Sequence, residues 1–222
     1  MVLDRFQDNA WATAVAKKID LVFSENPSLQ DHRKVFPWVT GFLGNPKSAI
    51  IFLGENPSLP TMKRASASPD MKSPEMQWNV SKGDKIFREA LIKANLKEGT
   101  LDSPGGWACY ITNIVKMAVK PKEWNEKSKD DRVAICKMFA PVLQEEIDAI
   151  KPKMIAVMGE RTEALFNSTL DFGALNIPEG TRVRRIWHYA FFNRGGLTGD
   201  NRETYFGTIA AVAAKYRQLG ND

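Results

Sequence analysis

Five apolar residues, Ala49-Ile-Ile-Phe-Leu53, run without a polar break and stop at Gly54-Glu55-Asn56-Pro57. An uninterrupted apolar run that ends in turn formers is the pattern of a strand buried on both faces, as in parallel sheets covered by helices. Polar groups then collect at the strand's carboxyl end, the edge where open α/β sheets bind ligands. Gly and Asn-Pro are also ordinary turn formers, so this stretch alone leaves a functional site and a plain strand-to-helix turn both open.

Three later stretches read the same way. Trp107-Ala-Cys-Tyr-Ile-Thr-Asn113 ends in the polar pair Thr112-Asn113, Lys153-Met-Ile-Ala-Val-Met158 closes on Gly159, and Arg184-Arg-Ile-Trp-His-Tyr-Ala-Phe-Phe192 carries His188. Apolar residues at helical intervals predict helices over 4–23, 81–96 (with Ser81 as N-cap), 131–150 and 201–219, and a short helix through Thr162, Ala164, Leu165 and Phe166. Pro141 lies inside 131–150 and predicts a kink or a break there. Strands alternating with helices give an α/β fold, a three-layer α/β/α sandwich with a mostly parallel four-stranded central sheet. The length of 222 residues fits a single domain over 1–222.

The connections carry chemistry of their own. Residues 58–79 contain Pro60, Pro69 and Pro74, show no period, and mix Lys63, Arg64 and Lys72 with Met71, Met76 and Trp78. Loops of that length are usually functional or disordered, so a flap closing over a flat ring and a mobile surface loop are both open readings. Lys116, Lys120 and Lys122 line a loop broken by Pro121, and Asn193–Asp200 is a glycine-rich basic loop.

Composition narrows the class. With 43% hydrophobic and 26% charged residues, the chain is expected to be soluble and globular. No apolar run reaches the ~20 residues that span a bilayer, and the first residues lack a signal peptide's basic start and apolar core, so no membrane partner and a cytoplasmic location are expected. Cys109 and Cys136 lie in apolar patterns, as buried thiols in a reduced compartment do, and with only His32 and His188 there is no sequence case for a metal. The net charge of +5 and pI near 9.1 point to an anionic partner, most commonly nucleic acid.

In chain order, then, the strand ends present Gly54-Glu-Asn-Pro-Ser58, Thr112-Asn113, Gly159 and His188, with Arg194-Gly195-Gly196 just beyond. In this order and on these elements they resemble the uracil-DNA glycosylase superfamily, whose first motif is Gly-x-(Asp/Asn/Ala)-Pro-x and whose last is a His-led loop. The resemblance runs from about Ile50 to Tyr205 and includes Ile111-Thr-Asn-Ile-Val-Lys116.

That resemblance implies a single-domain DNA glycosylase, expected to act as a monomer and without cofactor. Asn56 falls at the position that orients the attacking water. An amide can hold that water but cannot take its proton as a carboxylate would. Asn113 would read the edge of a flipped base, and His188 would hydrogen-bond the base oxygen where charge develops. A strand-end Asn tying down a loop and a structural His are the bland alternatives. Gly54, Glu55, Ser58 and Trp78 complete the substrate pocket. Glu55 is a minor candidate for the base, since an extended segment would turn it away from Asn56. Phosphate contacts are assigned to Lys116, Lys120, Arg184, Arg185 and Arg194, with Arg194-Gly195 in the loop that meets the duplex. No lysine within the matched motifs stands out as a Schiff-base nucleophile, so a monofunctional enzyme is expected.

Departures from the family pattern sharpen the reading. The usual Pro-Ser after the His is replaced by Tyr189-Ala190, and the iron–sulfur cysteines of some families are missing. Ser58 stands where uracil-specific members carry a Tyr that blocks substituents at the pyrimidine 5-position, which resembles the mismatch-specific uracil/thymine branch with its Gly. Two rivals remain: a catalytically feeble homologue that binds damaged or modified DNA, and an unrelated nucleotide-binding enzyme. The second lacks both Gly-x-Gly-x-x-Gly and Gly-Lys-Ser/Thr.

Overall fold

The computed structural model describes residues 10–29, 43–60, 81–103, 105–189, 191 and 199–219. Trp78, Arg194 and Gly195, with most of the 58–79 loop, lie outside the described residues.

The strands are β1 (Leu43–Gly44), β2 (Ile50–Gly54), β3 (Tyr110–Asn113), β4 (Met154–Met158) and β5 (Arg182–Ile186). They form one sheet in the order β1-β3-β2-β4-β5. β3, β2, β4 and β5 run parallel, and the two-residue β1 adds antiparallel to the outer edge of β3. The expected four-stranded parallel sheet is therefore present. β1 escaped prediction because two residues carry no readable period.

Side-chain alternation divides the core in two. Ile51, Leu53, Ile155 and Val157 face α1 (Ala10–Glu25), α4 (Lys129–Ile150) and α5 (Glu160–Asp171), where they meet Val15, Phe139, Leu143 and Phe166. Ile50, Phe52, Met154, Ala156 and Ile186 face α2 (Lys82–Lys93) and α6 (Gly199–Gln218), where they meet Phe87, Leu91, Ile209 and Val212. β2, β3 and β4 are buried along their whole length, which is why they read as continuous apolar runs. Each large side chain taken fully out of water contributes roughly 1.5–3 kcal/mol, so this double core sets the layers. Cys109 and Cys136 are free thiols, one in each core, and burial pushes the Cys136 thiol up to about 12.

Several boundaries differ from expectation. α4 continues through Pro141, which excludes the break among the two outcomes, kink or break, expected there. Pro121 opens α3 (Pro121–Glu126) rather than interrupting a loop, because at the first helical position its missing N–H has no partner to lose. β5 stops at Ile186, two residues before His188, and its first four residues are exposed as befits an edge strand. Among the described residues no helix is long and apolar enough to cross a membrane.

After β2 the chain adds β3 on one side of it and β4 on the other. That reversal opens a crevice at the carboxyl end of β2, the place where such sheets bind ligands.

Candidate active site

The site is built on Gly54. It pairs with Asn113 across β2 and β3, and a methyl group in its place would collide with the Asn113 carboxamide oxygen and lie 3.3 Å from Met158 Cε. Glycine here lets an amide lie flat against the strand end. Two residues on, half-buried Asn56 turns its amide nitrogen to the Pro57 carbonyl at 3.2 Å. Its oxygen has no protein donor among the described residues, which leaves an acceptor at the crevice that could hold a water. Half-buried Ser58 bridges to Val119, with Val119 N to Pro57 O at 3.1 Å and Leu59 N to Val119 O at 3.0 Å. Exposed Lys120 follows directly and sits on the rim of this first loop.

Glu55 turns away from Asn56, as the extended backbone requires. One of its oxygens accepts the Trp124 indole N–H at 2.7 Å, and the other accepts Arg161 Nε and Nη2 at 2.8 and 2.6 Å. Arg161 also donates to Asn125 Oδ1 at 2.6 Å. The candidate base is thus engaged in a structural cluster that fixes the turn carrying Asn56. Ile114 N and Val115 N add bonds of 2.9 and 3.0 Å to the carbonyls of Gly54 and Glu55.

Lys116 requires a correction. Its side chain is fully buried, so it cannot meet a phosphate. Its ammonium donates to Glu146 Oε2 at 2.5 Å, to the Asn113 carbonyl at 2.7 Å and to Thr112 Oγ1. Glu146, equally buried, accepts from Tyr110 and Thr112 at 2.9 Å each. Burial draws the lysine below its ordinary range, opposed by the Glu146 carboxylate. The sequence counted Lys116 as a surface cation because it follows a strand end, but the next residues turn under the sheet instead of outward. The Lys116 network fastens the main chain of Asn113 from below.

His188 completes the edge from the other side of the crevice. β4 ends at Gly159, whose φ of +96° suits glycine, and a Cβ there would lie 3.3 Å from His188 Cβ. The half-buried His188 ring lies 4.3 Å from that of Tyr189, and Phe191 N donates to the His188 carbonyl at 2.9 Å. Arg184 and Arg185 are exposed on β5, but Arg185 is partly committed to Glu163 at 3.1 Å. At the usual strand spacing, four adjacent parallel strands put Asn113, the Asn56 turn and His188 along an edge of roughly 14 Å, a span suited to a nucleoside.

The residues that sequence reasoning missed are those that hold the site. Glu146 left a signal, as the lone carboxylate among Leu143, Ile147 and Ile150 on the apolar stripe of α4. Arg161 stands just past a strand-ending glycine but left no pattern pointing to Glu55.

A family model described as the uracil DNA glycosylase superfamily matches residues 42–210, which include every described element from β1 to most of α6. A comparison with curated proteins found no match.

Proposed function

Since the chain belongs to the uracil DNA glycosylase superfamily, we propose that it is a monofunctional DNA glycosylase that removes uracil or a 5-modified pyrimidine flipped out of DNA and leaves an abasic site. The observation that carries this reading is the Asn113 carboxamide seated on Gly54, one strand from the Asn56 oxygen, at the switch point of the sheet.

Each group has a task in hydrolysing a base–sugar bond. Asn113 offers a donor and an acceptor to the pyrimidine edge. The transition state resembles an oxocarbenium sugar with negative charge moving onto the departing base, and an N–H from His188 is suited to meet that charge. Asn56 Oδ1 would hold the attacking water beneath the sugar. Ser58 leaves space beside the pyrimidine 5-position where a Tyr would fill it, which favours substrates carrying a methyl or larger substituent. Lys116 is buried and ion-paired, consistent with hydrolysis rather than an imine mechanism. DNA would be gripped by Lys120, Arg184 and Arg185, and the exposed stacked pair Trp187 and Phe191, 5.0 Å apart, suits contact with bases beside the flipped one. Such an activity serves base-excision repair or defence against phage with modified DNA.

One observation favours a second reading. With Glu55 engaged by Arg161 and Trp124, neither residue of the Glu55-Asn56 pair offers a free carboxylate to take the water's proton. A protein that binds damaged or modified DNA with little excision fits that arrangement.

The test is base release from oligonucleotides containing uracil, thymine opposite guanine, hypoxanthine, and 5-hydroxymethylated or glucosylated cytosine, scored by alkaline cleavage at abasic sites. Release that Asn56→Ala eliminates while DNA affinity persists establishes the enzyme. Ser58→Tyr should then abolish excision of the 5-substituted bases and spare uracil. No release from any substrate, with binding retained, establishes the second reading.

A further inference from the structure

We propose that Tyr189 is a positioning residue that fixes the orientation of the His188 imidazole, braced by Asp84 and Phe87 of α2. The consequence for catalysis rests on the glycosylase reading, but the orientation itself is open to measurement without it.

The chain reaches His188 by leaving β5 at Ile186 and turning before α6. An extended backbone would point residues 188 and 189 to opposite sides. Here their rings lie 4.3 Å apart at 36°, so the backbone has bent and the two side chains lie together. Tyr189 is anchored twice. Phe87 stacks on its ring at 5.8 Å and 18°. Its hydroxyl donates to the buried Asp84 carboxylate, a bond whose effects are felt at both groups.

Asp84 is itself anchored. It is the third residue of α2 and closes a capping box, accepting from Ser81 N at 3.1 Å and Ser81 Oγ at 2.5 Å. A Cβ added at Gly159 would lie 3.3 Å from the His188 Cβ, so the bare glycine leaves room for it. His188 thus stands between the open end of β4 and an aromatic wall whose footing is a helix N-terminus across the sheet edge.

This arrangement answers the departure noted in the sequence. Where the family's usual motif follows its His with a proline, which sets the backbone by a locked φ, this chain uses a tyrosine tied to a carboxylate 105 positions earlier. The hydroxyl matters because it ties the ring to a carboxylate already held by Ser81; without it only the Phe87 stacking holds Tyr189 beside His188.

Because the chain has only two histidines, His32 and His188, a sample labelled with ¹⁵N-histidine gives two sets of imidazole signals, assigned by His188→Gln. Tyr189→Phe keeps the ring and removes the hydroxyl. The expected result is a shift of the His188 ring nitrogens and of their titration midpoint in a protein that still unfolds cooperatively. Asp84→Asn retains an acceptor for the hydroxyl and should leave the His188 signals closer to wild type than Tyr189→Phe does. In base-release assays Tyr189→Phe should lower kcat roughly tenfold, short of the ~100-fold cost of a full 1 Å misplacement, with KM little changed. His188 signals and kcat that both match wild type in Tyr189→Phe overturn the proposal. If the wild type releases no base, the glycosylase reading fails while the imidazole signals still decide this one.

Discussion

Arg161 grips one carboxylate oxygen of Glu55 through Nε and Nη2 at 2.8 and 2.6 Å, joining the carboxyl ends of β2 and β4 across the crevice. The partner oxygen holds the indole N–H of the buried Trp124 at 2.7 Å. The two halves of this cluster differ in exposure. The Arg161 side chain is 46% exposed and that of Glu55 only 11%. Glu55→Ala strands a buried indole donor and should lower stability by about 1–3 kcal/mol. Arg161→Ala removes a charge half in water and should cost no more than about 1 kcal/mol. Urea unfolding of the two variants ranks them, and the opposite order would place the strength of the cluster in the ion pair rather than the indole.

The Lys116–Glu146 pair separates a buried cation from a phosphate contact. Lys116→Met abandons a carboxylate in the core and should cost about 3–5 kcal/mol, most of it recovered in Lys116→Met/Glu146→Gln, where the amide oxygen still accepts from Tyr110 and Thr112. The double variant should show the wild-type salt dependence of DNA affinity. Arg184→Ala, on the exposed strand, should reduce the slope of log affinity against log salt by about 0.9. Equal slopes in all three proteins would remove Arg184 from the interface.

Gly54→Ala tests the seat of Asn113. The added methyl would overlap the carboxamide oxygen and press on Met158 Cε, so the amide must swing out of its place. Stability should fall by roughly 1–3 kcal/mol through overpacking. In base-release assays the loss should exceed what the fall in stability explains, appearing at temperatures where the variant is fully folded. Full activity there would show that the seat is not used.

Two helices carry the same capping box in different surroundings, and acid should act on them with opposite sign. Asp131 at the start of α4 is exposed, and its bonds from Ser128 hold its carboxyl below the ordinary 3.8. Its contribution is present above pH 3.8 and lost as pH falls through the lower folded value. Asp84 at the start of α2 is buried, and desolvation raises its carboxyl above 3.8 against the bonds from Ser81 and Tyr189. Its ionisation therefore weighs against the fold at neutral pH, a cost relieved as pH falls through the raised value toward 3.8. From neutral pH to about pH 3, Asp131→Asn should gain stability relative to wild type and Asp84→Asn should lose it. Chemical denaturation across that range reads both, and parallel trends would contradict the assignment.

The sequence by itself determined the layered fold and the order of the motifs. A strand buried on both faces must be apolar throughout, and a turn at its end must hold turn formers, so β2, β4 and the Gly54–Ser58 loop were legible from neighbouring residues alone. The same local rules placed Asn56, Asn113 and His188 at or near strand ends, and the resemblance supplied the roles expected of them. Tertiary structure decided what each charged residue is for. Lys116 and Lys120 look alike in the chain, yet one is sealed beneath β3 with Glu146 and the other stands in solvent. Glu55 meets Arg161 and Tyr189 meets Asp84 across about a hundred positions, and β1 exists only because β3 lends it an edge. The reason is physical: backbone periodicity is set by residues a few positions apart, whereas the cost of burying a charge or a hydroxyl depends on the groups that packing brings to it from elsewhere in the chain.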